Sequence, residues 1–104
     1  MFGLFQRIPS ITTNELANKL TKQTLLLDVR TAAEFQNGHI PQAKNVPLNR
    51  IGSYEPKSSG PVYVICQSGM RSKKASKVLK NKGFDVINVR GGMSHWAGTT
   101  KRGR

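Results

Sequence analysis

Apolar residues cluster in short runs separated by polar, helix-like stretches. Leu25-Leu26-Leu27-Asp28-Val29 and Val62-Tyr63-Val64-Ile65 are nearly continuous apolar segments, the pattern of strands covered on both faces. Val86 to Val89 reads as a third such strand, and Ala43 to Val46 as a shorter one closed by Pro47. Helical signals lie between them. Thr12-Thr13-Asn14-Glu15 has capping-box spacing, with Leu16, Ala17 and Leu20 following at helical period. Thr31-Ala32-Ala33-Glu34 repeats the signal for a brief helix that Asn37-Gly38 ends. After the second strand, Ala75, Val78 and Leu79 predict one apolar face of a helix running to about Lys82, with Gly83 as its cap. Ser58-Ser59-Gly60-Pro61 reads as a loop, Gly91-Gly92 as a turn, and Met93 to Ala97 as a last short helix. Strands alternating with helices predict an α/β fold with a parallel sheet and helices on both faces.

At 104 residues the chain has the size of one domain. We assign residues 1–98 to it and expect 99–104 to be a basic, disordered tail. The stretch Met1 to Ile11 lacks the apolar run of a signal peptide, and no segment approaches membrane-spanning length. A single cysteine, Cys66, excludes an intramolecular disulfide and a cysteine-based metal cluster. His39 and His95 are too few and too scattered for a zinc site, so we expect neither metal nor cofactor. A free thiol without an export signal points to the cytoplasm.

Charge sharpens the question of partners. Seventeen Lys and Arg stand against five Asp and Glu, a net charge of +12. Lys73, Lys74, Lys77, Lys80 and Lys82 all fall on the helix after Cys66. An anionic partner or a solvated basic face would both explain this. No aromatic residues interleave the lysines, as a single-strand stacking platform requires, so nucleic acid is disfavoured.

The candidate chemistry sits where the Val62–Ile65 strand turns into the helix. Ligands of parallel α/β sheets bind at the carboxyl ends of strands, and Cys66-Gln67-Ser68-Gly69-Met70-Arg71 occupies that position. Helix N-termini offer unpaired N–H groups and partial positive charge. A thiol of pKa about 8.5 can fall to roughly 3.5–7.5 in such a setting. The dipole contributes about 1 kcal/mol, or up to about 2 when partly buried, which is about one pKa unit at about 1.4 kcal/mol per unit. Converging loop N–H groups and Arg71 must supply any larger drop. Gly69 lets the loop curl, and the planar fork of Arg71 suits anions directly or through loop carbonyls.

At these residues the chain resembles a known family. Leu27-Asp28-Val29-Arg30 with Glu34-Phe35, then Gly38-His39-Ile40-Pro41-Gln42-Ala43 with Asn45-Val46-Pro47, is very similar to the first half of a rhodanese domain. Cys66 to Ser72 looks like its active-site loop, and Gly83-Phe84 with Arg90-Gly91-Gly92-Met93 and Trp96 like its closing half. The resemblance runs from about Ile11 to Trp96. It implies a five-stranded, mainly parallel sheet flanked by helices on both faces, and sulfur transfer through a cysteine persulfide. By position, Cys66 becomes the nucleophile, with Arg71 completing the catalytic pair. Gln67, Ser68, Gly69, Met70 and Arg71 form the substrate cradle, and Asp28 and Arg30 a rim or bracing pair. Glu34 reads as a helix cap, His39 as a turn residue, His95 as surface or second layer and Trp96 as core. The implied partners are a small anionic sulfur donor such as thiosulfate and a thiol or protein-cysteine acceptor.

Loop length separates two chemistries. Similar phosphatases place five residues between Cys and Arg, whereas four separate Cys66 from Arg71. That favours the sulfurtransferase over a phosphatase or arsenate reductase. A binding or sulfur-carrier module of the same fold remains the alternative. Neutral Gln67 and Ser68 depart from the more basic loop of two-domain rhodaneses and leave the donor open.

Overall fold

The structure is a computed structural model that describes residues 7–57 and 59–104. Residues 1–6 of the segment read for a signal peptide, and Ser58 of the predicted loop, lie outside the described residues. In chain order the elements are β1 (Ser10–Ile11), α1 (Thr13–Lys19), β2 (Leu25–Asp28), α2 (Ala32–Gln36), β3 (Ala43–Asn45), β4 (Val62–Ile65), α3 (Met70–Asn81) and β5 (Val86–Val89). Two 3₁₀ segments, Leu48–Ser53 and Gly92–His95, complete them. The five strands form one sheet in the order β1-β5-β4-β2-β3, and every pair is parallel.

Both capping boxes form. The Thr12 hydroxyl accepts from the Glu15 N–H and the Glu15 carboxylate from the Thr12 N–H, and Thr31 and Glu34 do the same. Each box satisfies two donors that a helix start leaves unpaired. Alternation along the strands then builds two core layers. Leu27, Val62, Val64 and Val86 pack with Ala75 and Leu79 of α3 and with Ile51 on one face. Leu26, Tyr63, Ile65 and Val89 pack with Leu16 of α1 on the other, where Met93 and Trp96 add their partly buried surfaces. Truncating Leu79 to alanine would cost about 2–5 kcal/mol.

Val78 was placed on the apolar face of α3 but is 37 % exposed. The buried stripe is Ser72, Ala75, Ser76 and Leu79, because a 3.6-residue period turns Val78 away from Leu79 by one full residue step. The apolar pattern does not predict the edge strand β1. Two residues carry no pattern, and this strand exists because Pro9 and Ile11 carbonyls accept from Asn88 and Arg90 N–H groups at 2.9 Å each. The last helix is a 3₁₀ turn, Gly92–His95. The tail expected to be disordered makes defined backbone contacts: Lys101 and His39 exchange hydrogen bonds of 2.8 and 3.0 Å, and the Gly103 N–H donates to the Gln36 carbonyl at 2.8 Å. No described helix is long and apolar enough to cross a membrane.

Register positions the site. Asp28 pairs with Ile65, so β2 and β4 end level and the loops after them abut. The alternation that buries Val62 and Val64 under α3 carries the Cys66 side chain to that same face.

Candidate active site

The segment after β4 turns tightly before α3 begins. Gly69 has φ +112°, a conformation that disfavours any residue with a Cβ. This turn aims the Gly69 N–H at the Cys66 sulfur, 3.0 Å from Sγ. The Ser72 hydroxyl lies 3.4 Å from Sγ and donates to the Gly69 carbonyl at 3.1 Å. Cys66 itself is 1 % exposed. Burial pushes its thiol pKa up, but the Ser72 hydroxyl and the N–H groups of Ser72, Gly69 and Ser68 outweigh that and hold it below the ordinary value. The sulfur therefore sits in a ring of donors that favours a negative charge.

A second segment braces the loop from behind. Met93 N–H donates to the Cys66 carbonyl at 2.8 Å, and Ser94 N–H to the Gln67 carbonyl at 3.0 Å. Gly92 makes this approach possible. A Cβ there would stand 2.4 Å from the Cys66 oxygen and 2.6 Å from the Gln67 oxygen.

Asp28 and Arg30 form a buried ion pair, Nη2 to Oδ2 2.7 Å, with Nε also on the carboxylate at 2.9 Å. Arg30 further reaches the Gly38 carbonyl at 2.8 Å and the Gln67 Oε1 at 3.2 Å. Gln67 in turn donates to the Ser94 hydroxyl at 3.3 Å. A polar chain thus runs from β2 through the loop to the Gly92–His95 turn, and it holds the Gln67 side chain sideways.

Arg71 departs most from the sequence reading. Its fork grips Glu34, Nη1 to Oε1 2.7 Å and Nη2 to Oε2 2.9 Å, rather than turning into the loop. This bond, more than any other, lowers the Glu34 pKa to about 2; the same bond and the nearby Cys66 charge raise that of Arg71. Arg71 is a fixed cation beside the sulfur, braced from α2. Ser68 and Met70 face solvent, Met70 at 73 % exposure. The surroundings of Sγ are accordingly built from backbone N–H groups more than from the side chains of Gln67, Ser68 and Met70.

The remaining candidates fall outside this ring. His39 is buried, stacked on Phe35 at 3.6 Å between centroids, with Nδ1 2.7 Å from the Phe35 carbonyl. His95 is exposed, and Trp96 packs against the α1-side core. No group of three or more His, Cys, Asp or Glu that could hold a metal ion occurs among the described residues. Sequence reading missed the contact of Ser72 with Sγ. Its signal was present, because Ser72 falls on the buried stripe with Ala75 and Leu79 one turn inside the helix.

Residues 12–99 match the family described as the rhodanese-like domain. The chain belongs to this family. Within it, the chain is 40 % identical over 98 residues to the putative sulfurtransferase YtwF of Bacillus subtilis (strain 168), covering 90 % of this chain and 95 % of that protein. It is 36 % identical over 99 residues to the thiosulfate sulfurtransferase GlpE of Pseudomonas savastanoi pv. phaseolicola, covering 91 % and 90 %. The solved rhodanese-like domain protein from Staphylococcus aureus superposes with a TM-score of 0.80 at 37 % identity, over 93 % of this chain and all of that one. The rhodanese-like fold expected from the resemblance between about Ile11 and Trp96 is the observed fold, with all strand pairs parallel.

Proposed function

We propose that this rhodanese-like chain is a sulfurtransferase that carries sulfane sulfur as a persulfide on Cys66. Sulfur transfer or sulfur carriage as the general activity rests on the family match and on relatives named as sulfurtransferases and as a sulfur carrier. The persulfide reading rests on one observation: Sγ, held at the start of α3, meets the Gly69 N–H at 3.0 Å and the Ser72 hydroxyl at 3.4 Å.

The chemistry follows from that geometry. The Cys66 thiolate attacks the outer sulfur of a donor such as thiosulfate. The S–S bond of the donor breaks, sulfite leaves with its electron pair, and a Cys66 persulfide remains. An acceptor thiolate, or cyanide in an assay, then attacks the terminal sulfur and returns the electron pair to Sγ. The loop N–H groups that lower the thiol pKa also hold the anionic persulfide, as an oxyanion hole holds oxygen. Arg71, paired with Glu34, stays fixed at the start of α3. No general base is needed, because the loop already favours the thiolate.

The sulfur-carrier alternative draws on a specific feature. Gln67 is tied to Arg30 and Ser94, and Arg71 is matched by Glu34. Little side-chain charge is left in the cradle to capture a small dianion, so a protein donor fits this loop at least as well as thiosulfate. Mass spectrometry after thiosulfate tests the reading. One added sulfur on Cys66, removed by cyanide as thiocyanate and absent in Cys66→Ser, is expected. Turnover surviving in Cys66→Ser would overturn it.

A further inference from the structure

The lysines after Cys66 do not form one face. Lys82 turns toward the Leu48–Ser53 segment, where it donates to the Tyr54 carbonyl at 2.6 Å and the Gly52 carbonyl at 3.1 Å and pairs with Glu55 at 3.0 Å. Lys80 is half-buried. Lys73, Lys74 and Lys77 remain exposed. On a 3.6-residue helix they share one side with Met70 and Val78, opposite the buried stripe Ser72, Ala75, Ser76 and Leu79. Met70 and Val78 are the exposed large hydrophobic residues of the described chain, at 73 % and 37 %. They frame the lysines at positions about 12 Å apart along the helix axis.

The protein has little of its own charge to offer these lysines. Of its five acidic residues, Asp28, Glu34 and Glu55 are committed to Arg30, Arg71 and Lys82. No described carboxylate forms a salt bridge with Lys73, Lys74 or Lys77. A strip that is basic along its middle, apolar at both ends and begins four residues after the sulfur is shaped for a partner that approaches Cys66.

We propose that this strip of α3, formed by Met70, Lys73, Lys74, Lys77 and Val78, docks an acidic segment of a protein that exchanges sulfur with Cys66. The inference rests on the sulfur-transfer reading above and names its partner. Glutamates or aspartates of the partner meet the lysines, an apolar side chain meets Val78 or Met70, and the partner's cysteine comes to the mouth of the loop. Exposed charges of this kind govern encounter and register more than final affinity. The exposed apolar ends favour protein over nucleic acid, and the strip carries no aromatic ring on which a base could stack.

The experiment reads binding separately from sulfur chemistry. Full-length Cys66→Ser protein is titrated at low salt with a synthetic peptide of glutamates around a leucine and a cysteine, and backbone amide shifts are followed by NMR. Shifts are expected along the exposed side of α3. Lys74→Glu with Lys77→Glu should weaken binding about tenfold, the scale of losing and reversing two exposed charge pairs. Lys74→Gln with Lys77→Gln should lose part of that, added salt should shrink both effects, and Val78→Ser should weaken the complex at every salt concentration. Shifts centred elsewhere, for instance on the cleft with Lys44 and Arg50, would overturn the proposal. So would affinity that ignores the charge reversals, or an oligonucleotide of equal charge binding α3 more tightly than the peptide. Failure of the parent protein to form a persulfide would instead defeat the sulfur-transfer reading.

Discussion

Arg71 and Glu34, 37 residues apart in sequence, meet through two hydrogen bonds of 2.7 and 2.9 Å that lock the start of α3 to α2. The same carboxylate caps α2 through the Thr31 N–H at 3.0 Å. One acid thus fixes a helix start and the guanidinium at the start of α3.

Folding lowers the Glu34 pKa from 4.5 to about 2. The ionised carboxylate therefore stabilises the folded state fully above about 4.5, and that contribution is lost as pH falls toward 2. The pair is one-third exposed, so solvent limits the effect to about 1 kcal/mol. Urea unfolding of the parent should show this loss across that window, and Glu34→Gln should flatten it. In the same variant Arg71 is freed from its partner, so the persulfide-forming rate should fall as well.

Ser72→Ala removes the hydroxyl that lies 3.4 Å from the Cys66 sulfur and helps to lower the thiol pKa. The thiol pKa should rise, and alkylation against pH should show the midpoint moving toward that of a free thiol, about 8.5. Sulfur transfer at neutral pH should drop about tenfold, the scale of one hydrogen bond to a charged group. The deficit should shrink as pH rises and the thiolate forms without help. A deficit constant with pH would assign Ser72 to packing alone.

Gly92→Ala places a Cβ 2.4 Å from the Cys66 carbonyl oxygen on a backbone with φ +60°. Strain of about 1–3 kcal/mol is expected, along with a displaced loop and a large loss of persulfide formation. Gly52 has open space around its would-be Cβ, so Gly52→Ala should leave both stability and transfer nearly unchanged. Thermal melts and persulfide yield, measured side by side, check the contrast.

Inserting one residue after Gly69 lengthens the spacing between Cys66 and Arg71 to the five residues of the phosphatases. It also shifts Ser72 relative to Sγ and Arg71 relative to Glu34. Sulfur transfer should fall sharply, and slow aryl-phosphate hydrolysis is the gain to look for. Efficient aryl-phosphate hydrolysis by the unaltered chain, lost in Cys66→Ser, would show that the four-residue loop accepts phosphate after all.

The amino-acid sequence by itself determined the elements whose causes are local. Thr12 with Glu15 and Thr31 with Glu34 sit three residues apart, so their caps were legible, and the apolar runs at Leu25, Val62 and Val86 fixed the three inner strands. The position of Cys66 at the end of the Val62–Ile65 strand, ahead of Gly69 and a helix, was legible for the same reason. What tertiary structure alone decided is where each polar side chain ends. Glu34 read as a cap, and only the packing of α2 beside α3 made it the partner of Arg71. Gln67 read as cradle, and only the level ends of β2 and β4 handed it to Arg30. Val78 read as core, and the fit of α3 on the sheet chose Ser72 and Ser76 in its place. β1 and the Lys101 contact with His39 formed because neighbouring backbone offered partners. Helical period, strand alternation and capping act within a few residues, whereas the partner of a polar group far along the chain depends on which surfaces the fold brings together.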